Sequence, residues 1–499
     1  MVVGASLAWL SHVFQLTRET FWSTGLGDWI DPYFINFLLE HWYSSVRHLT
    51  DPMSPPMFFP VRGTLGYSHG LVLFAPFYLL VRPFAHPFQA YSLALCLVML
   101  TGIVSLYAIL RKFLALSFLE SSLLTAFFAT SANVVSGILG VWSQRASVFL
   151  IPPILLLLLG AIRMADGRPK LVLSALAGLL TTSLFIHDFY TAQFALLFAA
   201  LALAAAVLIE RPRGAARVWD LRTSWRAAFV AGALVGAVAF LAIYLPVYRE
   251  HPTFPESELL NQLAEQIPYD SLRSFALVCL CAALAWVPWF AVERRTRLYA
   301  LAFALISLLV LVLPVWVANF SIWRAVFERL PGFSAVRDPK RVIYLYELAV
   351  VLALGLFLSG LGRRSPLRIL VSIVVFVLIV REPNRTVFDF LRPNATYARW
   401  VDAPIDIDPS CRSFFVKGAS GEYSARQAEM RPVYAIDSMF VALERGIPTL
   451  NGYSAWAPPG WSLVNPADPS YESAVKAWIE QHRLTGVCAF DVEARTMRP

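Results

Sequence analysis

The sequence predicts an α-helical polytopic membrane protein of about 11 transmembrane helices with a small C-terminal α/β extracytoplasmic domain. Of 499 residues, 58% are hydrophobic and only 15% charged, whereas soluble domains carry roughly 45–50% and 25%. Polar surface is therefore too scarce to cover this chain in water. The apolar residues also gather into runs near bilayer thickness, and the basic residues collect in alternate connections between them.

Runs long enough to span fall near 88–110, 121–140, 146–162, 171–187, 189–209, 227–247, 272–292, 299–320 and 342–361. Shorter runs at 2–16 and 367–380 complete the set, the latter opened by Pro366, which suits a first helical position. The run at 2–16 lacks the basic start and small-residue cleavage pattern of a secretory signal, so it reads as a shortened first span.

Orientation follows from charge. The connections 111–120, 163–170, 210–226, 293–298 and 361–368 hold 16 Lys and Arg, against 11 in the alternate set, which is more than twice as long. The basic set is expected on the cytoplasmic side. The first outer loop, 17–87, and the tail then share the opposite side, the periplasm in a bacterial inner membrane. The net charge of +8 is explained by this bias and implies no nucleic-acid partner. Residues 70–84 would invert the topology if they crossed, so they read as an interfacial or re-entrant segment.

The loop 17–87 exceeds the about 12–15 residues beyond which loops tend to be functional or disordered. Residues 33–49 place Phe34, Phe37, Leu38, Trp42, Val46 and Leu49 on one helical face and Asn36, Glu40, Ser44 and Arg47 opposite. That pattern predicts a helix lying along a membrane surface. Gly27-Asp28-Trp29-Ile30-Asp31-Pro32 precedes it, and a proline-punctuated stretch ending at Tyr67-Ser68-His69-Gly70 follows. Asp31 before Pro32 suits a helix N-cap. Asp28 has no such structural task, and a carboxylate at the water–lipid boundary can act as general base or bind a divalent cation such as Mg2+ or Mn2+.

This order of features resembles the glycosyltransferase C (GT-C) superfamily: a first span, an outer loop opening with Gly-Asp-x-x-Asp, a surface helix, a proline-rich segment, many spans and an outer C-terminal domain. The resemblance implies transfer of a sugar from a polyprenyl-linked donor to a glycan, lipid or protein acceptor on the outer face. It assigns the catalytic aspartate to Asp28, with Asp31 second, and makes both candidate metal ligands. Many members carry another acid in the second outer loop, where this chain has Trp142-Ser143-Gln144-Arg145 and no carboxylate. Asp188, in the turn His187-Asp188-Phe189-Tyr190, is the candidate substitute, with a helix cap as its alternative role.

Candidate phosphate ligands lie in Arg337-Asp338-Pro339-Lys340-Arg341, just before the penultimate span. Basic residues there depart from the orientation rule. Guanidinium groups clamp phosphate oxygens in pairs, which favours Arg337 and Arg341 over Lys340. Arg145 is a further outer cation, with membrane anchoring as its alternative.

Residues 1–380 form the bundle in this reading, and 381–499 the outer domain. Ser413–Lys417 and Gly486–Val492 have strand character, while Val433–Arg445 and Pro469–His482 have helical spacing. Cys411 and Cys488 each lie beside a strand, and an oxidising compartment favours their pairing. A transporter or flippase for a lipid-linked substrate is the competing class; it calls for repeats or midplane charges. A non-catalytic envelope-assembly protein is the third.

Overall fold

A backbone crossing hydrocarbon must satisfy its own peptide groups, and the apolar runs accordingly fold as helices. The computed structural model describes all residues except 1, 28–29, 140–142, 211–223, 252–268, 288–291, 316–320, 330–331, 337, 382–391, 394–400 and 418–432. Among the described residues, eight helical stretches are long and apolar enough to cross a membrane: Pro87–Lys112, Phe118–Val135, Ser143–Arg163, Arg168–His187, Phe189–Glu210, Ser224–Glu250, Arg294–Val312 and Pro339–Ser359. The chain is a multi-pass membrane protein.

In chain order the α-helices longer than five residues are α1 (Val2–Val13), α2 (Asp31–His48), α3 (Ala75–Val81), α4 (Pro87–Lys112), α5 (Phe118–Thr130), α6 (Ala132–Leu139), α7 (Ile151–Arg163), α8 (Arg168–His187), α9 (Phe189–Glu210) and α10 (Ser224–Glu250). There follow α11 (Tyr269–Leu284), α12 (Arg294–Val312), α13 (Ile322–Arg329), α14 (Val342–Ser359) and α15 (Pro366–Arg381). The runs expected at 2–16, 272–292 and 367–380 are the shorter helices α1, α11 and α15. The run expected at 121–140 is broken at Ser131, whose ψ of 126° leaves the helical region.

Helices α8 and α10 pack almost backbone to backbone. A Cβ on Gly178 would strike the Phe229 carbonyl, and one on Gly232 the Ala175 carbonyl. Small residues permit this approach, which van der Waals contact stabilises in lipid.

The two sets of connections separate to opposite ends of the bundle. Arg368 binds Glu120 through Nε at 2.7 Å and Nη2 at 3.0 Å, joining two basic loops. Arg163 donates to the Lys112 carbonyl at 2.7 Å, and Arg295 pairs with Glu210 at 2.6 Å. At the other end Gly70 donates to the Ile186 carbonyl at 2.8 Å, Tyr244 to the Ser68 carbonyl at 2.9 Å and Tyr67 to Glu250 at 3.0 Å.

The first outer loop is a packed layer, which corrects the expectation for its helix. Helix α2 buries every residue from Pro32 to His41, including Asn36 and Glu40 on the supposedly wet face. Glu40 is held by Arg82 through Nε at 2.7 Å and Nη2 at 2.8 Å, and also accepts from the Tyr78 hydroxyl. A buried carboxylate is tolerable when paired in this way. Residues 70–84 do not cross: α3 is only seven residues long and packs between α2 and α4.

The tail carries a four-stranded sheet. With β1 (Thr24–Gly25) pairing β2 (Arg392–Pro393) elsewhere, its strands are β3 (Asp406–Ile407), β4 (Ser413–Val416), β5 (Val487–Asp491) and β6 (Thr496–Arg498), in the order β3-β6-β5-β4. Strand β4 runs parallel to β5, and β5 antiparallel to β6. Helices α16 (Val433–Arg445) and α17 (Tyr471–His482) match the expected spacing, and Cys411 is disulfide-bonded to Cys488. The proline-rich segment docks on this unit edge to edge: Phe58 donates to the Asn451 carbonyl at 3.1 Å, Phe59 to that of Thr449 at 3.0 Å, and Thr449 to that of Pro56 at 3.1 Å. Trp478 adds a bond to the Phe59 carbonyl at 2.9 Å, and the Tyr33 ring stacks on Phe440 at 4.7 Å.

Candidate functional site

The turn between α8 and α9 buries Asp188, whose side chain is 1% exposed. Burying a carboxylate is costly unless its oxygens are bonded. Oδ2 accepts from the Thr191 hydroxyl at 2.5 Å. Oδ1 has no hydrogen-bond donor among the described residues and faces Nδ1 of His69 at 3.5 Å. His69 is fixed there by its neighbours, since Gly70 and Leu71 donate to the Ile186 and His187 carbonyls at 2.8 and 3.2 Å. Burial holds the His69 imidazole below its ordinary pKa; Asp188 opposes this and Arg341 reinforces it. Burial therefore favours the neutral ring, which has one nitrogen able to accept a proton.

Arg341 reaches the same place from the outer end of α14. Asp338 shapes its approach, accepting from the Lys340 backbone at 3.2 Å and from Arg341 Nε at 3.1 Å. The Arg341 guanidinium lies 4.8 Å from the centre of the Tyr190 ring, which in turn lies 5.8 Å from that of His69. Arg145 sits over Tyr344 at 5.6 Å, and the Tyr344 hydroxyl is 3.3 Å from Thr191 Oγ1. Gly137 on α6 makes space for the Arg145 side chain, which would meet any Cβ placed there.

Asp188, Arg145 and Arg341 are therefore brought together with His69, and Lys340 lies half-buried on the turn that leads into Arg341. Thr191 and Tyr344 were missed from sequence. Each lies three residues beyond a candidate, Asp188 or Arg341, and so on the same helical face. Asp28 and Arg337 lie outside the described residues.

Asp31 is not the side-chain N-cap expected of it. The cap position is Ile30, with no side-chain cap bond, and Asp31 is the first residue of α2. Its Oδ1 accepts from the Tyr453 hydroxyl at 3.2 Å. From there the tail reaches towards the buried acid: Ser454 Oγ and the Trp456 backbone donate to the Tyr67 carbonyl at 2.8 and 3.2 Å, two residues before His69.

A divalent cation finds a poor fit among the described residues. Asp188 and His69 offer ligating atoms, but no group of three or more His, Cys, Asp or Glu residues is present among them. Two guanidinium groups also stand in the cluster and oppose a dication. The arrangement suits an anion better: guanidinium groups at one end of the bundle to bind phosphate oxygens, beside a buried acid–imidazole pair that can hold a proton.

A separate polar group lies within the spans. Glu347 on α14 is 1% exposed and accepts from Asn133 Nδ2 at 2.8 Å and Ser274 Oγ at 2.9 Å.

No protein-family model matches the chain, and no curated protein matches it. Among solved structures, the chain is similar to an oligosaccharyltransferase of Archaeoglobus fulgidus, crystallised with zinc and sulfate. Identity is 10%, the TM-score is 0.45, and the match covers 91% of this chain but 62% of that one. The chain thus spans under two thirds of that protein's length.

Proposed function

We propose that this protein is an integral membrane glycosyltransferase of the GT-C kind, moving a sugar from a polyprenyl-linked donor to an acceptor on the face that carries the tail. The observation that supports it most is the convergence of Asp188, His69, Arg341 and Arg145 at the non-basic end of the bundle. A lipid-linked donor presents its phosphate at that level. Arg341, with Arg337, Lys340 and Arg145, holds the leaving phosphate as the bond from the sugar's anomeric carbon breaks. Asp28 takes the proton of the acceptor hydroxyl, Asp31 orients the tail through Tyr453, and Asp188 serves as the second acid. Electrostatic stabilisation of the departing phosphate is the larger contribution, and the base adds about 10²–10⁴-fold. The reading includes eleven crossings, an outer domain over 381–499 and a bacterial inner membrane with the tail in the periplasm. The disulfide between Cys411 and Cys488 accords with an oxidising compartment.

The test is sugar transfer from a panel of polyprenyl-phosphate donors in proteoliposomes, comparing wild type with Asp28→Asn and Asp188→Asn. Loss of transfer in both variants is expected. Turnover unchanged in both would reject the assignment. Glu347 favours a second reading, a flippase or transporter, because ionisable groups within spans mark transport paths. Movement of intact donor across the bilayer, abolished by Glu347→Gln, would select it.

A further inference from the structure

We infer that the basic end of the bundle holds one anionic glycerophospholipid between α5 and α15. A cavity of about 770 Å³ lies there, lined by the start of α5, the start of α15 and the loops before them. Its polar end carries Arg111, Arg363, Arg368 and Glu120. Glu120 is spent within the protein: both oxygens bind Arg368, and Oε2 also accepts from the Ser117 backbone at 2.8 Å. That carboxylate and Arg368 cancel. Arg111 donates to the Leu116 carbonyl and keeps its charge, and Arg363 is exposed with no side-chain hydrogen bond or ion pair among the described residues. The mouth is therefore doubly positive.

The rest of the cavity points to hydrocarbon. Leu119, Ile369, Ile373 and Phe376 line it and are 60%, 64%, 53% and 54% exposed, a surface that water would not tolerate beside two arginines. An occupant must combine an anionic head with apolar chains. The cavity lies at the end where the basic loops gather, so the head sits at the level of that leaflet's phosphates. Basic pockets between membrane helices on this side bind acidic headgroups in this way. The site is remote from the Asp188 cluster and independent of the proposed transfer reaction.

Native mass spectrometry of the full chain, released from nanodiscs containing dioleoyl-phosphatidylglycerol or dioleoyl-phosphatidylcholine, tests it. Wild type should retain one phosphatidylglycerol and no phosphatidylcholine. Arg111→Gln/Arg363→Gln should weaken retention about thirtyfold, given about 1 kcal/mol per basic residue. Ile373→Trp, which fills the apolar wall and leaves every arginine in place, should displace the lipid without that charge loss. Arg294→Gln/Arg295→Gln, which removes equal charge from another basic loop, should retain it. Equal retention of both lipids, loss in the control equal to that in the site variant, or displacement by inorganic phosphate alone would overturn the inference.

Discussion

Oδ1 of Asp188 and Nδ1 of His69 face each other at 3.5 Å where the first outer loop meets the turn between α8 and α9. The acid raises the affinity of the imidazole for a proton, against burial and Arg341. Asp188→Asn should therefore lower the His69 pKa further, visible as a titration midpoint moved to lower pH in histidine-labelled NMR spectra. Transfer should fall by about 10²-fold. An unmoved His69 titration would separate the two residues.

Arg341 tests the phosphate role by geometry instead of charge. Arg341→Lys keeps the cation but loses the planar fork and the stacking on Tyr190. The expected result is a kcat/KM for donor lowered about tenfold, equal to about 1.4 kcal/mol of lost transition-state stabilisation, with much of the loss in kcat. Initial rates across donor concentrations give both constants. An unchanged kcat/KM would argue for a role away from the donor phosphate.

Glu40 and Arg82 form a two-pronged pair beneath the tail. Glu40→Gln should cost about 1.5–3 kcal/mol by removing the carboxylate that accepts from both Arg82 and Tyr78. Glu40→Gln/Arg82→Met should recover most of the loss. Thermal unfolding in detergent, followed as a double-mutant cycle, measures the coupling.

His41 on α2 should make the outer layer acid-sensitive. Its imidazole is bonded to the Pro52 carbonyl at 3.0 Å, and burial lowers its pKa from 6.5 to about 4. The folded state then binds fewer protons than the unfolded state within that window. Stability is complete above pH 6.5 and declines as pH falls towards 4, by about 3 kcal/mol at most. His41→Gln should flatten that part of a melting-temperature profile against pH.

Removing the bond between Cys411 and Cys488, which lie 77 residues apart, should destabilise the tail by about 4 kcal/mol in the chain-entropy account. Cys411→Ser/Cys488→Ser should become protease-sensitive within 401–499 while the bundle resists. Intact mass under non-reducing conditions checks the bond itself.

Much of the fold was legible because hydrocarbon imposes a single backbone solution on long apolar runs, and because charge bias fixed which connections share an end. The strand character of 413–417 and 486–492 likewise marked β4 and β5. The site was less legible. Asp188 and Arg341 stood out as misplaced charges, but the meeting of His69 with Asp188 leaves no periodic trace in either segment. The surface reading of α2 failed for a related reason. Glu40 looks like a wet residue until Arg82, from a different segment, is placed against it.

The edge pairing of the proline-rich segment with residues 449–451 has a bearing on biosynthesis. Phe59 and Trp478 are bonded across a sequence separation of 419, so at about 5–20 residues per second the early loop waits roughly 20–80 s for its partner to leave the ribosome. Throughout that interval the peptide groups of Phe58 and Phe59 lack their final acceptors and donors. Truncation of the last hundred residues would therefore leave an inserted bundle with this loop layer permanently unfinished.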